Sequence, residues 1–299
     1  MSEFEGKVVV ITGAGGGLGK AHALEFAGRG AKVVVNDLGG AGDGTGSGDA
    51  ADLVVEEIRS AGGEAIANKA SVSDKVGAQS IIDDAVAAYG TVDILVNNAG
   101  ILRDKSFKNL EMDDWDIVMD VHLNGSAYVT KAAWPIMYDK KYGRIVFTSS
   151  TSGVFGNFGQ ANYGAAKMGM LGFMNVLAIE GVSKNIRVNC LAPAAETRLI
   201  GTIPGRDVNP DNPEPMRHPK MVTPVVLFMC SEDAPTGMTF HGGNGNFRRS
   251  ATFVNEGLKF DDPNVSFEDL LAQKEKLLDL SAGREMSGLI RVQQQQQQQ

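Results

Sequence analysis

A short apolar run leads directly into a glycine-rich turn near the start of the chain. Residues 7–11 read Lys-Val-Val-Val-Ile, which is typical of a buried parallel strand. The turn at 12–19 reads Thr-Gly-Ala-Gly-Gly-Gly-Leu-Gly, and a helix is predicted at 21–27. This order predicts a dinucleotide site, because glycines let the backbone approach a pyrophosphate at the helix N-terminus. The predicted cofactor residues in the turn are Gly13, Gly16, Gly17, Leu18 and Gly19.

An acidic residue follows the second predicted strand. The strand covers residues 32–36, and Asp37 comes about 20 residues after the glycine turn. At that spacing a carboxylate accepts hydrogen bonds from the adenine ribose hydroxyls and repels a 2′-phosphate. The sequence therefore favours NAD over NADP as the cofactor. A plain strand-end or turn residue is the alternative interpretation of Asp37.

Tyr163 and Lys167 form a Tyr-x-x-x-Lys pair, and Ser150 comes 13 residues before the tyrosine. Residues four apart lie on one face of a helix, so the ammonium can approach the phenol. A free phenol has a pKa of about 10, and a nearby cation favours the phenolate, which can act as a general base. Ser150 is a candidate for holding the substrate oxygen. Taken alone, such a pair is more often a surface tyrosine beside a solvated lysine, and the rest of the chain reverses that interpretation.

Strand-like and helix-like segments alternate along the chain. Further strands are predicted at 64–69, 92–96, 143–149 and 186–192, and helices at 50–60, 75–89, 113–140 (one helix or two, with Pro135 as the candidate kink) and 162–180. The order predicts an α/β fold, a Rossmann-like doubly wound parallel sheet with helices on both faces. Candidate residues then gather at the carboxyl ends of the strands. Ser71 and Val72, just after the third strand, are expected near the adenine.

Four motifs together carry a family resemblance. They are the turn at 12–19, Asn-Asn-Ala-Gly at 97–100, Ser150, and the Tyr163 and Lys167 pair. Over residues 5–245 the chain resembles the short-chain dehydrogenases/reductases. The resemblance implies hydride transfer with a nicotinamide, in which Tyr163 is the general acid/base, Lys167 lowers its pKa and holds the nicotinamide ribose, and Ser150 orients the carbonyl or alcohol. It also assigns to the cofactor site Asn98, Ala99, Gly100 and Pro193.

Longer strings narrow the resemblance to one subgroup. The segments 37–49, 98–104 and 156–163 are similar to the (3R)-hydroxyacyl-CoA dehydrogenases, found in peroxisomal multifunctional enzyme type two and in single-domain bacterial relatives. This implies NAD-dependent interconversion of (3R)-3-hydroxyacyl-CoA and 3-oxoacyl-CoA. A hydroxysteroid dehydrogenase is the competing hypothesis. Two others are NADPH-linked reduction of acyl-carrier thioesters, which Asp37 disfavours, and a catalytically silent NAD-sensing regulatory protein, which the intact Ser150, Tyr163 and Lys167 disfavour.

The chain departs from the family pattern at two positions. His122 occupies the slot where many members have an asparagine that helps to hold a proton-relay water. With an unperturbed pKa near neutrality, His122 is either a proton shuttle or a hydrogen-bonded helix residue. Asn124 is expected on another face of the helix. After the sixth strand the chain has Pro193-Ala194 in place of Pro-Gly, which weakens any role for Thr197 in the adjoining loop.

Composition excludes several classes of partner. The chain has 299 residues, 43% hydrophobic and 21% charged, with a net charge of −8, so nothing favours nucleic acid or an anionic membrane. No stretch approaches the roughly 18 uninterrupted apolar residues of a membrane span. Cys190 and Cys230 are expected to be reduced core thiols, no metal site is predicted, and no leader is recognised, so we expect a cytoplasmic protein. By analogy with relatives it is expected to form a homodimer or homotetramer.

Three segments are predicted along the chain. Residues 1–246 form the Rossmann domain, 247–292 a C-terminal extension packed on it with a helix from Ser266 to about Leu280, and 293–299 a poly-Gln tail. The proline-rich region 193–224 is expected to be a substrate flap. Its cations are candidates for the phosphates of CoA or plain surface charges: Arg198, Arg206, Arg217 and Lys220. The glycine-rich stretch 39–48 either borders the adenosine or is a surface insertion.

Overall fold

Eight strands form one mostly parallel sheet in the computed structural model, which describes residues 2–196, 209 and 213–290. They are β1 (Val8–Thr12), β2 (Lys32–Asn36), β3 (Glu64–Asn68), β4 (Ile94–Asn97), β5 (Gly143–Thr148), β6 (Ile186–Pro193), β7 (Thr239–Gly243) and β8 (Asn246–Ser250). Their order across the sheet is β3-β2-β1-β4-β5-β6-β7-β8. The chain therefore reverses its direction of growth between β1 and β4, which is where doubly wound sheets bind ligands.

Helices cover both faces of this sheet. They are α1 (Gly17–Gly28), α2 (Ala50–Ser60), α3 (Lys75–Tyr89), α4 (Met112–Met119), α5 (Gly125–Lys140), α6 (Thr151–Phe155), α7 (Ala161–Gly181) and α8 (Thr223–Cys230). Short 3-10 turns lie at Phe107–Asn109, Val182–Lys184, Pro215–Arg217 and Pro219–Met221. The predicted Rossmann-like α/β fold is confirmed.

Burial on both faces explains the sequence of the strands. All five residues of β1 are buried, and so is every residue of β4 and β5. One face packs Ile11 and Val35 against Phe26 of α1 and Ile58 of α2. The other face packs against α3, α5 and α7. A strand that is buried on both sides needs apolar residues at consecutive positions, as the runs in β1 and β2 have.

The helix predicted at 113–140 is interrupted by a π turn, not by its proline. The turn covers Asp120–Asn124, and the Gly125 N–H donates to the carbonyl of Asp120, five residues back. Helix α5 then continues through Pro135 to its end. The Ser126 hydroxyl donates to the carbonyl of His122 at 2.6 Å, so a side chain satisfies a carbonyl within the turn. Such turns often lie at functional sites.

Helix α7 and the 3-10 turn after it form an apolar segment, Ala161–Lys184, long enough to cross a bilayer by length and composition alone. The core helix of a globular protein passes the same test. Its buried residues include Ala166, Lys167 and Met170, and the helix packs against β6 and α6. Its apolar composition therefore serves the packing of the sheet.

The chain divides into two compact units, Met1–Arg249 and Ser250–Gln299. In the first, Asn244 and Gly245, both with positive φ, form the two-residue turn between β7 and β8. The second contains the antiparallel pair β9 (Thr252–Val254) and β10 (Arg284–Met286) and two short helices, α9 (Phe267–Ala272) and α10 (Lys274–Leu278). Ser266 caps α9 as predicted, but the single helix expected to reach Leu280 is broken at Gln273. Residues 293–299 lie outside the described part of the chain.

A buried histidine joins two helices on one face of the sheet. Nδ1 of His22, in α1, lies 2.9 Å from the hydroxyl of Thr223, in α8. The imidazole is fully buried, and burial lowers its pKa from 6.5 to about 3. Between pH 6.5 and about 3, the folded protein therefore keeps His22 neutral, whereas an unfolded chain would protonate it.

Replacing His22 by asparagine tests this linkage. In the wild type, the free energy of unfolding should fall as the pH drops from 6.5 towards 3, because only the unfolded chain binds a proton at this position. The His22→Asn variant should lose up to about 1.4 kcal/mol per pH unit of that slope. Urea unfolding across this range measures it. His218→Asn, at a half-exposed histidine, should change the slope less, and equal slopes for wild type and His22→Asn would contradict the assignment.

Candidate active site

One cavity of 350 Å³ opens at the carboxyl edge of the sheet, next to the switch point between β1 and β4. Its volume lies within the range typical of small-molecule sites. The sequence-predicted residues that line it are Gly13, Gly16, Gly17, Leu18, Asp37, Ser71, Val72, Asn98, Ala99, Gly100, His122, Ser150, Tyr163, Lys167 and Pro193. The motifs identified separately in the sequence thus converge on one space.

The glycine turn places the start of α1 at this cavity. Gly16 is the N-cap and the helix begins at Gly17, so free backbone N–H groups lie at the cavity wall. A methyl group on Gly13 would lie 2.7 Å from the Cα of Ala99, so only glycine allows this approach. Gly19, also predicted to bind the cofactor, is absent from the lining, and a methyl group there would lie 2.2 Å from the carbonyl oxygen of Gly13. Its small size serves the packing of the turn.

Asp37 is held by backbone donors on both sides. The Gly15 N–H donates to Oδ2 and the Gly39 N–H donates to Oδ1, each at 2.7 Å. A methyl group on Gly15 would lie 2.8 Å from Oδ2, so Gly15 brings the turn within hydrogen-bonding distance of the carboxylate. The carboxylate is fixed at the cavity wall with lone pairs left for further donors.

A polar contact joins the ends of β1 and β4. The Thr12 hydroxyl accepts the N–H of Asn98 at 3.0 Å and that of Ala99 at 3.1 Å. In return, Nδ2 of Asn98 donates to the carbonyls of Thr12 and Gly13 at 3.1 and 3.0 Å. Sequence reasoning identified Asn98 but gave no role to Thr12, although a hydroxyl at the end of a buried strand was the available signal.

Ser150, Tyr163 and Lys167 are brought together by β5, α6 and α7. Ser150 follows β5 as the N-cap of α6, where its Oγ accepts the N–H of Ser152 at 3.1 Å. Tyr163 and Lys167 lie one turn apart on α7, with Nζ of the lysine 5.3 Å from the centre of the tyrosine ring. The Ser150 hydroxyl also acts on the phenol of Tyr163, whose pKa it lowers. The hydroxyl, phenol and ammonium therefore face one part of the cavity.

Burial dominates the electrostatics of this trio. It raises the pKa of Tyr163 to about 12, opposed by the hydrogen bond from Ser150. It lowers the pKa of Lys167 to about 7, since the side chain is only 2% exposed. The Lys167 ammonium donates to the carbonyl of Thr148 at 2.5 Å, which compensates part of its desolvation. The protein alone thus favours the neutral phenol.

His122 lies in the cavity wall beside the tyrosine, on the π turn. Its ring stands edge-on to that of Tyr163, with centroids 5.1 Å apart, and Nε2 lies 3.0 Å from the nitrogen and 2.7 Å from the oxygen of Ile101. Burial, reinforced by the charge of Lys167, holds its pKa well below the usual range. A methyl group on Gly100 would lie 2.3 Å from Cε1 of His122. The backbone contacts favour a packed helix residue, and proton shuttling by His122 stays a prediction.

The remaining candidates divide between the cavity and the surface. The stretch 39–48 borders the cavity through Gly40, Ala41, Gly42 and Gly44, and its placement beside an adenosine stays a prediction. The guanidinium of Arg217, a candidate for CoA phosphates, is paired with Glu196 at 3.0 Å. Lys220 is exposed. Three flap residues lie outside the described part of the chain: Thr197, Arg198 and Arg206.

Sequence comparison places these features in a known family. The short chain dehydrogenase family matches residues 7–200. A short-chain type dehydrogenase/reductase of Mycobacterium tuberculosis is 48% identical over 286 residues, covering 95% of this chain and 98% of that protein. The peroxisomal multifunctional enzyme type 2 of the mouse is 51% identical over 244 residues, which cover 81% of this chain but only 32% of the mouse enzyme.

Solved structures agree with the sequence comparison. A short chain dehydrogenase from Mycobacterium avium superposes with a TM-score of 0.80 at 38% identity, covering 93% of this chain and 96% of that one. The full-length peroxisomal multifunctional enzyme type 2 from Drosophila melanogaster gives a TM-score of 0.78 at 38% identity, covering 98% of this chain and 49% of that one. The chain belongs to the short-chain dehydrogenase/reductase family of oxidoreductases, and it is related to the dehydrogenase part of the type 2 multifunctional enzymes.

Proposed function

We propose that this oxidoreductase interconverts (3R)-3-hydroxyacyl-CoA and 3-oxoacyl-CoA with NAD. The observation that carries the proposal is the convergence of Ser150, Tyr163 and Lys167 on a cavity that also holds the glycine turn and Asp37. Support for the thioester comes from the resemblance of the strings at 37–49, 98–104 and 156–163. Support for a dehydrogenase reaction comes from relatives such as the peroxisomal hydratase-dehydrogenase-epimerase of Saccharomyces cerevisiae, 50% identical over 230 residues that cover 25% of that protein. The cytoplasmic location and the homodimer or homotetramer stay predictions.

The residues of the cavity fit a nicotinamide dinucleotide. Side chains at Gly13 and Gly15 would collide with neighbouring atoms, and the start of α1 offers N–H groups to a pyrophosphate. Asp37 would accept the adenine ribose hydroxyls, which supports NAD, because a fixed carboxylate repels a 2′-phosphate. Lys167 and Tyr163 would hold the nicotinamide ribose.

The trio can carry out the proton transfer of an alcohol oxidation. Ser150 orients the C3 hydroxyl of the substrate, and the Tyr163 phenolate takes its proton as the C3–H bond breaks and the 3-oxo group forms. The nicotinamide, when bound, accepts the departing hydride. Lys167, while charged, stabilises the phenolate. In the reverse direction the Tyr163 phenol returns the proton to the substrate oxygen.

Asp104 sets part of the proton affinity of the tyrosine. Its Oδ2 accepts Nε2 of Gln160 at 2.6 Å, while Oδ1 is buried without a hydrogen-bond partner among the described residues. Burial raises the pKa of Asp104. Its negative charge in turn raises the pKa of Tyr163, because a like charge disfavours the phenolate.

The substrate class is tested by following reduced-nicotinamide absorbance with NAD and both enantiomers of 3-hydroxyacyl-CoAs of several chain lengths, together with two hydroxysteroids. We expect turnover of the R thioesters. Tyr163→Phe should lower kcat by about 10²- to 10⁴-fold, the usual contribution of a general acid/base, and should still bind NAD. Tyr138→Phe, at an exposed tyrosine, is the control. Turnover of steroids alone would assign the competing function, and NAD binding without any turnover would favour a sensor.

Cofactor choice is tested at Asp37. Asp37→Asn keeps the shape of the side chain but removes its charge, so the ratio of kcat/KM with NAD to that with NADP should fall by at least about tenfold, as for the loss of one charged hydrogen bond. Steady-state rates with each cofactor measure the ratio. Asp83→Asn, which removes an exposed carboxylate bonded to Gln79 on helix α3, away from the cavity, is the matched control. An unchanged ratio at Asp37→Asn would remove the argument for NAD.

The pH profile is tested at Asp104. Because the Asp104 charge raises the pKa of Tyr163, Asp104→Asn should lower that pKa. The rise of the oxidation rate with pH, which requires the phenolate, should then move to lower pH. Rates of alcohol oxidation across the neutral and alkaline range measure this, with Asp113→Asn as an exposed charge control. A shift to higher pH, or none, would show that Asp104 does not act on the tyrosine.

A further inference from the structure

Residues 38–48, here called the arch, form a closed loop between Asp37 and α2. The N–H of Gly48 donates to the carbonyl of Leu38 at 3.1 Å, so the two ends of the arch meet. At its tip the Ala41 N–H donates to the carbonyl of Thr45 at 2.7 Å. Oδ1 of Asp43 accepts both the N–H and the hydroxyl of Thr45. The arch is thus a small Ω-loop, ordered by its own backbone.

The tip of the arch reaches the segment that follows β4. The Leu102 N–H donates to the carbonyl of Gly42 at 3.0 Å, and a methyl group on Gly44 would lie 3.2 Å from Cδ1 of Ile101. Nε of Arg103 donates to the carbonyl of Asp43 at 2.7 Å. The arch therefore runs from the Asp37 side of the cavity to residues just beyond Gly100, and lines the cavity along the way.

Arg103 connects this tip to the start of helix α7. While Nε binds the arch, Nη1 donates to Oδ1 of Asp114 at 3.0 Å. The amide of Asn162 donates to the carbonyls of Arg103 and Asp114, each at 3.1 Å, and its Oδ1 accepts the N–H of Tyr163 at 2.8 Å. Asn162 is fully buried. One guanidinium thus joins the arch to the residues that fix the catalytic tyrosine.

We propose that Arg103 is a positioning residue for the dinucleotide, which pins the arch over the adenosine half of the cofactor. The inference rests on the proposed function, since it takes the cavity beside Asp37 to be the adenosine site. Leu38, 40% exposed and lining the cavity, is the apolar surface that a bound adenine would cover. Because Arg103 holds the tip of the arch, loosening that tip raises the entropy that binding must remove.

A matched pair of variants separates this role from the charge balance of Asp114. Lys105 donates to the other oxygen of Asp114 at 3.0 Å, and among the described residues its ammonium makes no hydrogen bond to the arch. Arg103→Ala and Lys105→Ala each remove one cation from Asp114, but only the first releases the arch. Arg103→Lys keeps the charge. A single ammonium cannot, however, donate at once to the Asp43 carbonyl and the Asp114 carboxylate in the geometry of the guanidinium.

Calorimetric titration with NAD and with ADP-ribose, which lacks the nicotinamide, measures the effect. Arg103→Ala and Arg103→Lys should weaken both ligands by about tenfold, and Lys105→Ala should stay within about twofold of wild type. Equal losses in Arg103→Ala and Lys105→Ala, or full affinity in Arg103→Lys, would overturn the proposal. If wild type bound NAD and Arg103→Ala bound it equally well, this inference alone would fail. If wild type bound neither ligand, the proposed function would fail first.

Amide hydrogen exchange gives a readout that does not depend on bound cofactor. The N–H groups of Ala41 and Gly44 should exchange faster in Arg103→Ala than in wild type or Lys105→Ala. Gly44→Ala, at a glycine with φ of +89°, should lift the tip from Ile101 and weaken NAD in the same way. Combined with Arg103→Ala it should add less than its separate effect, because both changes release one contact. Full additivity, or unchanged exchange, would contradict a single pinned arch.

Discussion

The hydrogen bonds between the ends of β1 and β4 hold the site together. The connections that follow these two parallel strands leave in opposite directions along the sheet, which opens a crevice at the carboxyl ends of the strands. Thr12 and Asn98 span it with four hydrogen bonds, and Gly13 allows Ala99 to come within van der Waals contact. The glycine turn on one side and the Asn-Ala-Gly segment on the other are therefore fixed relative to each other before any ligand arrives.

Ser150, Tyr163 and Lys167 lie where burial makes charged groups electrostatically unfavourable. Burial raises the pKa of the phenol and lowers that of the ammonium, so both groups are pushed towards their neutral forms. The compensating contacts are few: the Thr148 carbonyl for Lys167, and the Ser150 hydroxyl for Tyr163. Any ligand that brings positive charge close to the phenol would oppose the first shift, because an opposite charge favours the ionised form. In the proposed mechanism, the ionisation of Tyr163 therefore depends on whether the cofactor is bound.

Much of the fold followed from the sequence because a sheet buried on both faces leaves a plain signal. The strands β1 to β6 were predicted to within one or two residues, since most of them are short runs of consecutive apolar residues. Strands β7 to β10 were missed. They are short and lie where glycines and arginines interrupt any periodic pattern. The two C-terminal helices were merged for a different reason, since no glycine or proline marks the break at Gln273.

The site was predictable where residue type and spacing identify its parts. Ser150, Tyr163, Lys167, Asp37 and the glycine turn at 12–19 can be recognised in this way. The arch cannot, because its ties are carbonyls and N–H groups that every residue possesses, and a glycine-rich stretch is equally typical of a surface insertion. In the sequence, Arg103 is recognisable only as part of the segment 98–104 that resembles the family. Its role depends on two acceptors distant in sequence, the Asp43 carbonyl and the Asp114 carboxylate.

The π turn at Asp120–Asn124 makes the relative orientation of helices α4 and α5 depend on the number of residues between them. A π turn contains one residue more than the α turn it replaces, so removing one residue here would restore a regular helix without breaking it. Everything before the deletion would then rotate by about 100° relative to everything after it, the angular step of one residue in an α-helix. The helix would stay intact after such a change, but the side chains that line the cavity from this helix, such as Ile117, would turn away from it. The extra residue therefore acts as a spacer: it sets the rotation of the side chains on α4 relative to those on α5.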